Sequence, residues 1–154
     1  MSYLFNNNNI GKETVVFNNS VSNQEIDATI ADITGSSITY TPVDNCNHVI
    51  YEVKFQYDYR PDNDNDYFFE LFQSTDGGSS WSGLGNYYCI EGSSINSRRI
   101  ESVISIKFIL PPYTGARSYK LRGRTSTNSY EINMHKDTGT GAIYYPTVSM
   151  YSVL

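Results

Sequence analysis

Apolar side chains fall on every second position of residues 49–59, at Val49, Tyr51, Val53, Phe55, Tyr57 and Tyr59, while Glu52, Lys54, Gln56 and Asp58 occupy the other phase. Only an extended strand sends successive side chains to opposite faces, so this stretch predicts a β-strand with one face in a core and one in water. Shorter segments of the same kind recur, with turn residues between them. Residues 13–17 (ETVVF) form one, and residues 25–33 and 37–43 form two more, separated by Thr34, Gly35 and Ser36. Residues 67–73 and 85–90 are joined across a Gly- and Ser-rich turn. Residues 100–110 place Ile104, Ile106, Phe108 and Leu110 on one face and Val103, Ser105, Lys107 and Ile109 on the other. Pro111 and Pro112 stop that strand, because proline removes ladder donors.

In residues 118–124, Tyr119 and Leu121 point inward and Lys120, Arg122 and Arg124 outward, and residues 130–134 repeat the pattern with Tyr130, Ile132 and Met134. A Gly-Thr-Gly loop at residues 139–141 leads to the last strand, residues 147–154. No segment sustains a 3.6-residue period, and no repeat of 20 to 50 residues is present. About nine strands with short turns and no helices between them predict an all-β fold, an antiparallel β-sandwich or jelly roll of about 8–10 strands over residues 21–154.

Residues 1–20 read differently. Residues 6–9 are four asparagines, and Asn18, Asn19 and Ser20 form a second polar cluster. This stretch either frays or acts as an arm that docks on a neighbouring subunit through Tyr3, Leu4 and Phe5. Two apolar surpluses lie beyond what one core needs. Val103 and Ile109 occupy the second face of their strand, and Val148, Met150 and Leu154 share one face of the last strand. Contacts with a sister subunit or another partner are expected from these five residues.

Composition narrows the function. At 154 residues the chain is one domain, able to bury roughly 70% of its unfolded surface. The 14 Tyr and 7 Phe suit pleated, half-buried surfaces. A net charge of −5 argues against nucleic acid or an anionic membrane as partner, since phosphate contact needs clustered Lys and Arg. The first ten residues lack the charged start and apolar stretch of a signal peptide, which predicts a soluble chain that stays in the cytosol until it assembles. Cys46 and Cys89 permit one disulfide without demanding it.

The sharpest local motif is STDGGSSW, residues 74–81, in which Ser74, Asp76, Gly78, Ser80 and Trp81 match the fixed positions of an Asp-box. Its Asp carboxylate closes a hairpin by bonding the turn backbone, which is a structural role. Sialidases carry several such boxes on a propeller, whereas this short chain carries one. DNDND at residues 62–66 fails as an EF-hand loop, because the sixth and twelfth positions are Tyr67 and Gln73. His48 and His135 stand at no zinc-like spacing, and no Gly-x-Ser-x-Gly is present. Glu70 and Glu131 lie on strands, and a glycosidase pair would need a separation the sequence does not give. The chain is therefore expected to be no enzyme and to take no metal or cofactor. Tyr87, Tyr88, Tyr144 and Tyr145 suit binding of sugars or proteins better than chemistry.

The segments EIDATIADITGSSITYTP, HVIYEVKFQYDY, YFFELFQSTDGGSSW, the Pro-Pro-Tyr turn and ARSYKLRGRT together resemble the compact jelly-roll, tumour-necrosis-factor-like domains of bacteriophage virion proteins. The resemblance implies a homotrimer, serving as a capsid decoration (cement) protein, a head fibre or a tail-fibre tip. The short arm and the lack of a heptad stem favour a decoration protein on the outside of the capsid, with the major capsid protein or another virion protein as partner. The alternative is a receptor- or carbohydrate-binding tip, with a glycan as partner.

Overall fold

The computed structural model describes residues 10–59, 66–90, 100–126, 132–136 and 140–154. These residues contain eleven strands: β1 (Ile10–Phe17), β2 (Gln24–Ile26), β3 (Ala31–Asp32), β4 (Ile38–Tyr40), β5 (His48–Tyr59), β6 (Tyr67–Ser74), β7 (Ser82–Ile90), β8 (Ile100–Leu110), β9 (Arg117–Thr125), β10 (Ile132–Met134) and β11 (Thr147–Val153). They form two antiparallel sheets. In the first, β1 pairs β11, β11 pairs β5, and β5 pairs β8 along its other edge; β10 takes the end of β5 that β11 leaves open, and β2 pairs β10. In the second, β7 pairs β6 and β6 pairs β9, while β3 and β4 share the far edge of β9.

With β3 and β4 counted as one interrupted strand, the long strands run 1-8-3-6 in one sheet and 2-7-4-5 in the other. That interleaving is a jelly roll. The core lies where the inner faces interdigitate. Val49, Tyr51, Val53 and Phe55 of β5 meet Tyr67, Phe69 and Leu71 of β6, with Ile106 and Phe108 of β8 and Tyr119 and Leu121 of β9 beside them. Buried tyrosines keep their hydroxyls satisfied: Tyr51 donates to the Ser36 carbonyl (2.7 Å), and Tyr40 bonds both the Lys12 carbonyl (2.5 Å) and Ser152 Oγ (2.6 Å). At Gly123 a Cβ would stand 3.0 Å from Ile33 Cδ1 and 3.1 Å from the Phe69 ring, so a glycine there lets both close over β9.

Three expectations are corrected. Residues 25–33 are not one strand: the chain leaves the first sheet after Ile26 and joins the second at Ala31. Asp27 turns it, its carboxylate accepting from the Thr29 amide (2.6 Å) and its carbonyl from the Thr125 amide (2.7 Å). Between β3 and β4 the ladder to β9 is broken, and buried Ser36 stitches the gap, with Oγ donating to the Ile33 carbonyl (2.6 Å) and accepting from the Leu121 amide (3.0 Å). The predicted arm also changes. Residues 10–17 are an integral strand, in register with β11 from Ile10↔Val153 to Phe17↔Thr147, so the arm boundary at residue 20 does not hold. Tyr3, Leu4 and Phe5 lie outside the described residues.

Third, Val148 and Met150 are fully buried in the protomer's own core. The register places Val148 beside Val53 and Met150 beside Tyr51, core residues of β5, so this apolar face turns inward and is unavailable to a partner.

Candidate binding surfaces

The outward face of the first sheet is built by alternate residues of β1, β11, β5 and β8. Its registers bring Val15 beside Ser149, Ser149 beside Glu52 and Glu52 beside Lys107. At its centre the half-buried Glu52 carboxylate gathers three donors: Lys107 Nζ at 3.1 Å, Lys54 Nζ at 3.5 Å and Ser105 Oγ at 2.7 Å. Partial burial pushes the Glu52 pKa up, but the Ser105 and Lys107 hydrogen bonds and the two lysine charges outweigh it, leaving it below the ordinary carboxylate value. Around this polar centre stand apolar side chains. Val103 is 66% and Ile109 65% exposed on β8, and Val15 and Phe17 are exposed on β1. Both β8 residues thus face outward as expected, and Leu154 is also exposed, just beyond β11.

The outward face of the second sheet is cationic and aromatic. Alternation on β9 directs Lys120, Arg122 and Arg124 outward, and each cation lies over a ring from a neighbouring segment. Lys120 Nζ is 4.2 Å from the Trp81 centroid, Arg122 Cζ is 4.8 Å from that of Phe72, and Arg124 Cζ is 5.0 Å from that of Phe68. Asp32 of β3 holds two of them, Lys120 at 2.7 Å and Arg122 at 3.0 Å. On the other side Glu70 stands opposite Arg122, and Tyr87 of β7 stands opposite Glu70. Glu70 leans across β7, where Gly83 leaves it room: a Cβ there would fall 2.2 Å from its Oε1.

The turn between β6 and β7 is built as the motif predicts. Asp76 Oδ1 accepts from the Ser79 and Ser80 amides (both 3.0 Å) and from Ser74 Oγ (2.6 Å), while Oδ2 accepts from Ser80 Oγ (2.5 Å). Ser74 Oγ in turn accepts from the Gly78 amide (2.8 Å), and Trp81 Nε1 donates to the Gly78 carbonyl (3.0 Å). Gly77 and Gly78 have φ of 72° and 95°, a region that favours glycine. Hydrogen bonds from the Ser74 and Ser80 side chains and the Ser80 amide hold the Asp76 carboxyl well below the usual range. The side-chain polar groups of Ser74, Asp76, Ser79, Ser80 and Trp81 all bond within the turn, and the Trp81 ring in addition seats Lys120.

Other predicted residues are dispersed. His48 is exposed at the start of β5, Cys46 is buried and Cys89 exposed, with no disulfide between them. Tyr87, Tyr88, Tyr144 and Tyr145 are exposed, at 64%, 38%, 45% and 46%. Most of the DNDND run and Glu131 lie outside the described residues, and among the described residues no three His, Cys, Asp or Glu side chains cluster as metal ligands. His135 was not singled out as special by its sequence context, yet it is fully buried, at φ 67°, edge-on to Phe55 with ring centroids 6.3 Å apart, and neither ring nitrogen has a hydrogen-bond partner. The left-handed backbone turns its side chain inward where strand alternation would send it out.

No family model matches the chain, and no curated protein matches it. Among solved structures it is similar to the Eiger TNF of S. frugiperda, at 11% sequence identity and a TM-score of 0.38, over 84% of this chain and 93% of that one.

Proposed function

We propose that the chain is a homotrimeric structural protein of a bacteriophage virion, a decoration (cement) protein bound to the outside of the capsid. One observation carries the self-association: the outward face of the first sheet exposes Val103 and Ile109 by two-thirds, on either side of Lys107 and its ion cluster with Glu52. Large apolar side chains left exposed beside a few mutually satisfied charges suit a protein interface, in which the polar groups set register and the apolar ones supply the free energy. Covering what remains exposed of each of these two side chains contributes about 1–2 kcal/mol per residue. The threefold symmetry and the virion setting rest on the sequence resemblance.

Light scattering on size-exclusion chromatography tests the first half. The expected mass is three times the 17.4 kDa protomer. The double substitution Val103→Arg/Ile109→Arg is expected to give a monomer that stays folded, because neither side chain contributes to the protomer core, and whose unfolding midpoint no longer depends on protein concentration. A wild-type monomer at micromolar concentration overturns the assembly. Absence of the protein from purified particles of its virus overturns the capsid role.

A further inference from the structure

The second sheet carries a charge at odds with the rest of the molecule. The protein has 11 Lys and Arg against 16 Asp and Glu. Yet β9 alone holds Arg117, Lys120, Arg122 and Arg124 and no acid. The three that face outward are not loose side chains on a solvated strand. Each is seated on a ring, and a ring beneath a guanidinium both attracts it and restricts its rotamers. Lys120 is largely covered, its side chain 13% accessible and bonded to Asp32, so it braces the face. Arg122 is 29% accessible and shares Asp32. Arg124 is exposed over Phe68, and among the described residues no carboxylate stands within ion-pair distance of it.

We propose that this face binds an anionic polysaccharide. Arg122 and Arg124 take its carboxylate or sulfate groups, and Asp32, Glu70 and the Tyr87 hydroxyl take its sugar hydroxyls. Two observations favour a glycan over an acidic protein surface. The arginines alternate along one strand face at a spacing of about 7 Å, already oriented by their rings, which suits a linear, regularly charged chain. The same face presents Asp32, 53% accessible, and Glu70; the hydroxyls of a polysaccharide offer donors to these acceptors, whereas a row of protein carboxylates offers none. The site is complete within one protomer. It lies on the opposite side of the sandwich from Val103 and Ile109, so it stays open in an oligomer built on that other face, and several copies would add avidity.

Affinity electrophoresis of the intact protein tests this, in gels containing polygalacturonate, dextran sulfate, neutral dextran or poly-glutamate. Retardation is expected with the first two alone, weakening as salt is raised. Arg122→Gln/Arg124→Gln is expected to weaken it at least tenfold. Arg124→Gln alone, at an exposed position that folding does not use, is expected to weaken it several-fold. Lys12→Gln, the same charge change on β1, should leave it intact. No retardation by either acidic polysaccharide overturns the proposal, as does unaltered binding by Arg124→Gln. Equal retardation by neutral dextran removes the role of charge. Equal retardation by poly-glutamate makes the face a general polyanion or acidic-protein site and overturns the glycan assignment.

Discussion

Buried His135 makes the stability of the fold depend on pH in a window where few other groups titrate. Burial pushes its pKa down from 6.5 to about 4, a shift only partly offset by the nearby Thr34 carbonyl, which is not in hydrogen-bonding geometry. The folded protein therefore resists protonation at this ring while the unfolded chain accepts it. As pH falls through 6.5 the unfolded state binds the extra proton, and stability declines until the folded pKa is reached; below that both states are protonated and the loss levels off. With a folded pKa of about 4, the loss relative to pH 7 is about 2 kcal/mol at pH 5 and about 3 kcal/mol at pH 4. Urea unfolding at pH 7, 6 and 5 measures it, before the carboxylates held low at Asp76 and Glu52 begin to contribute. The comparison is His135→Phe, which keeps a ring against Phe55. That variant is expected to be flat between pH 7 and 5, whatever its absolute stability at the left-handed backbone position. A wild-type curve as flat as the variant's would mean that the ring finds a proton acceptor in solution, and the reasoning from burial would fail.

Two further outcomes follow from the stitching of the sheets. Ser36→Ala leaves the Leu121 amide without its acceptor and removes the bond to the Ile33 carbonyl. The expected cost is about 2–4 kcal/mol, about 5–15 °C in midpoint by calorimetry, against less than about 0.5 kcal/mol for exposed Ser37→Ala. Deleting residues 1–19 is expected to destabilise the domain, because it strips β1 from β11 and takes the Lys12 carbonyl from Tyr40. A truncation ending before Ile10 touches none of these contacts, and a comparison of the two by urea unfolding separates folding from any role of the first nine residues in attachment.

The strands were legible wherever one face is buried and the other wet. Residues 49–57 declare themselves because β5 is long and Val49, Tyr51, Val53, Phe55 and Tyr57 all enter the core, whereas the other phase, expected to be wet, is buried at Gln56 and Asp58. The Asp-box turn was legible in full, since every bond it makes lies within eight residues. What stayed hidden depends on neighbours far away in sequence. An apolar face on residues 148–154 has the same appearance whether it meets a core or a partner, and only the register that sets Val148 beside Val53 and Met150 beside Tyr51 decides that both face inward. The break between β3 and β4 was also unreadable, because Ser36 is an ordinary loop serine until Leu121, 85 residues away, is brought to it. The cation–ring ladder has the same origin. Lys120, Arg122 and Arg124 were visible as an outward row, but their rings come from β6 and from Trp81, and the register that superimposes them cannot be read from either segment alone.

The pairing of β1 with β11 has a consequence in time. Among the described residues the first strand pairs with the last alone, with Ile10 opposite Val153. During synthesis β1 must wait, with Val15, Val16 and Phe17 uncovered, until residues 147–153 have emerged. Closing a loop of that length before any reward places the domain among the slow, millisecond-to-second folders. It also makes the waiting strand, with its apolar residues and free edge, the place where two nascent chains would most readily pair with each other.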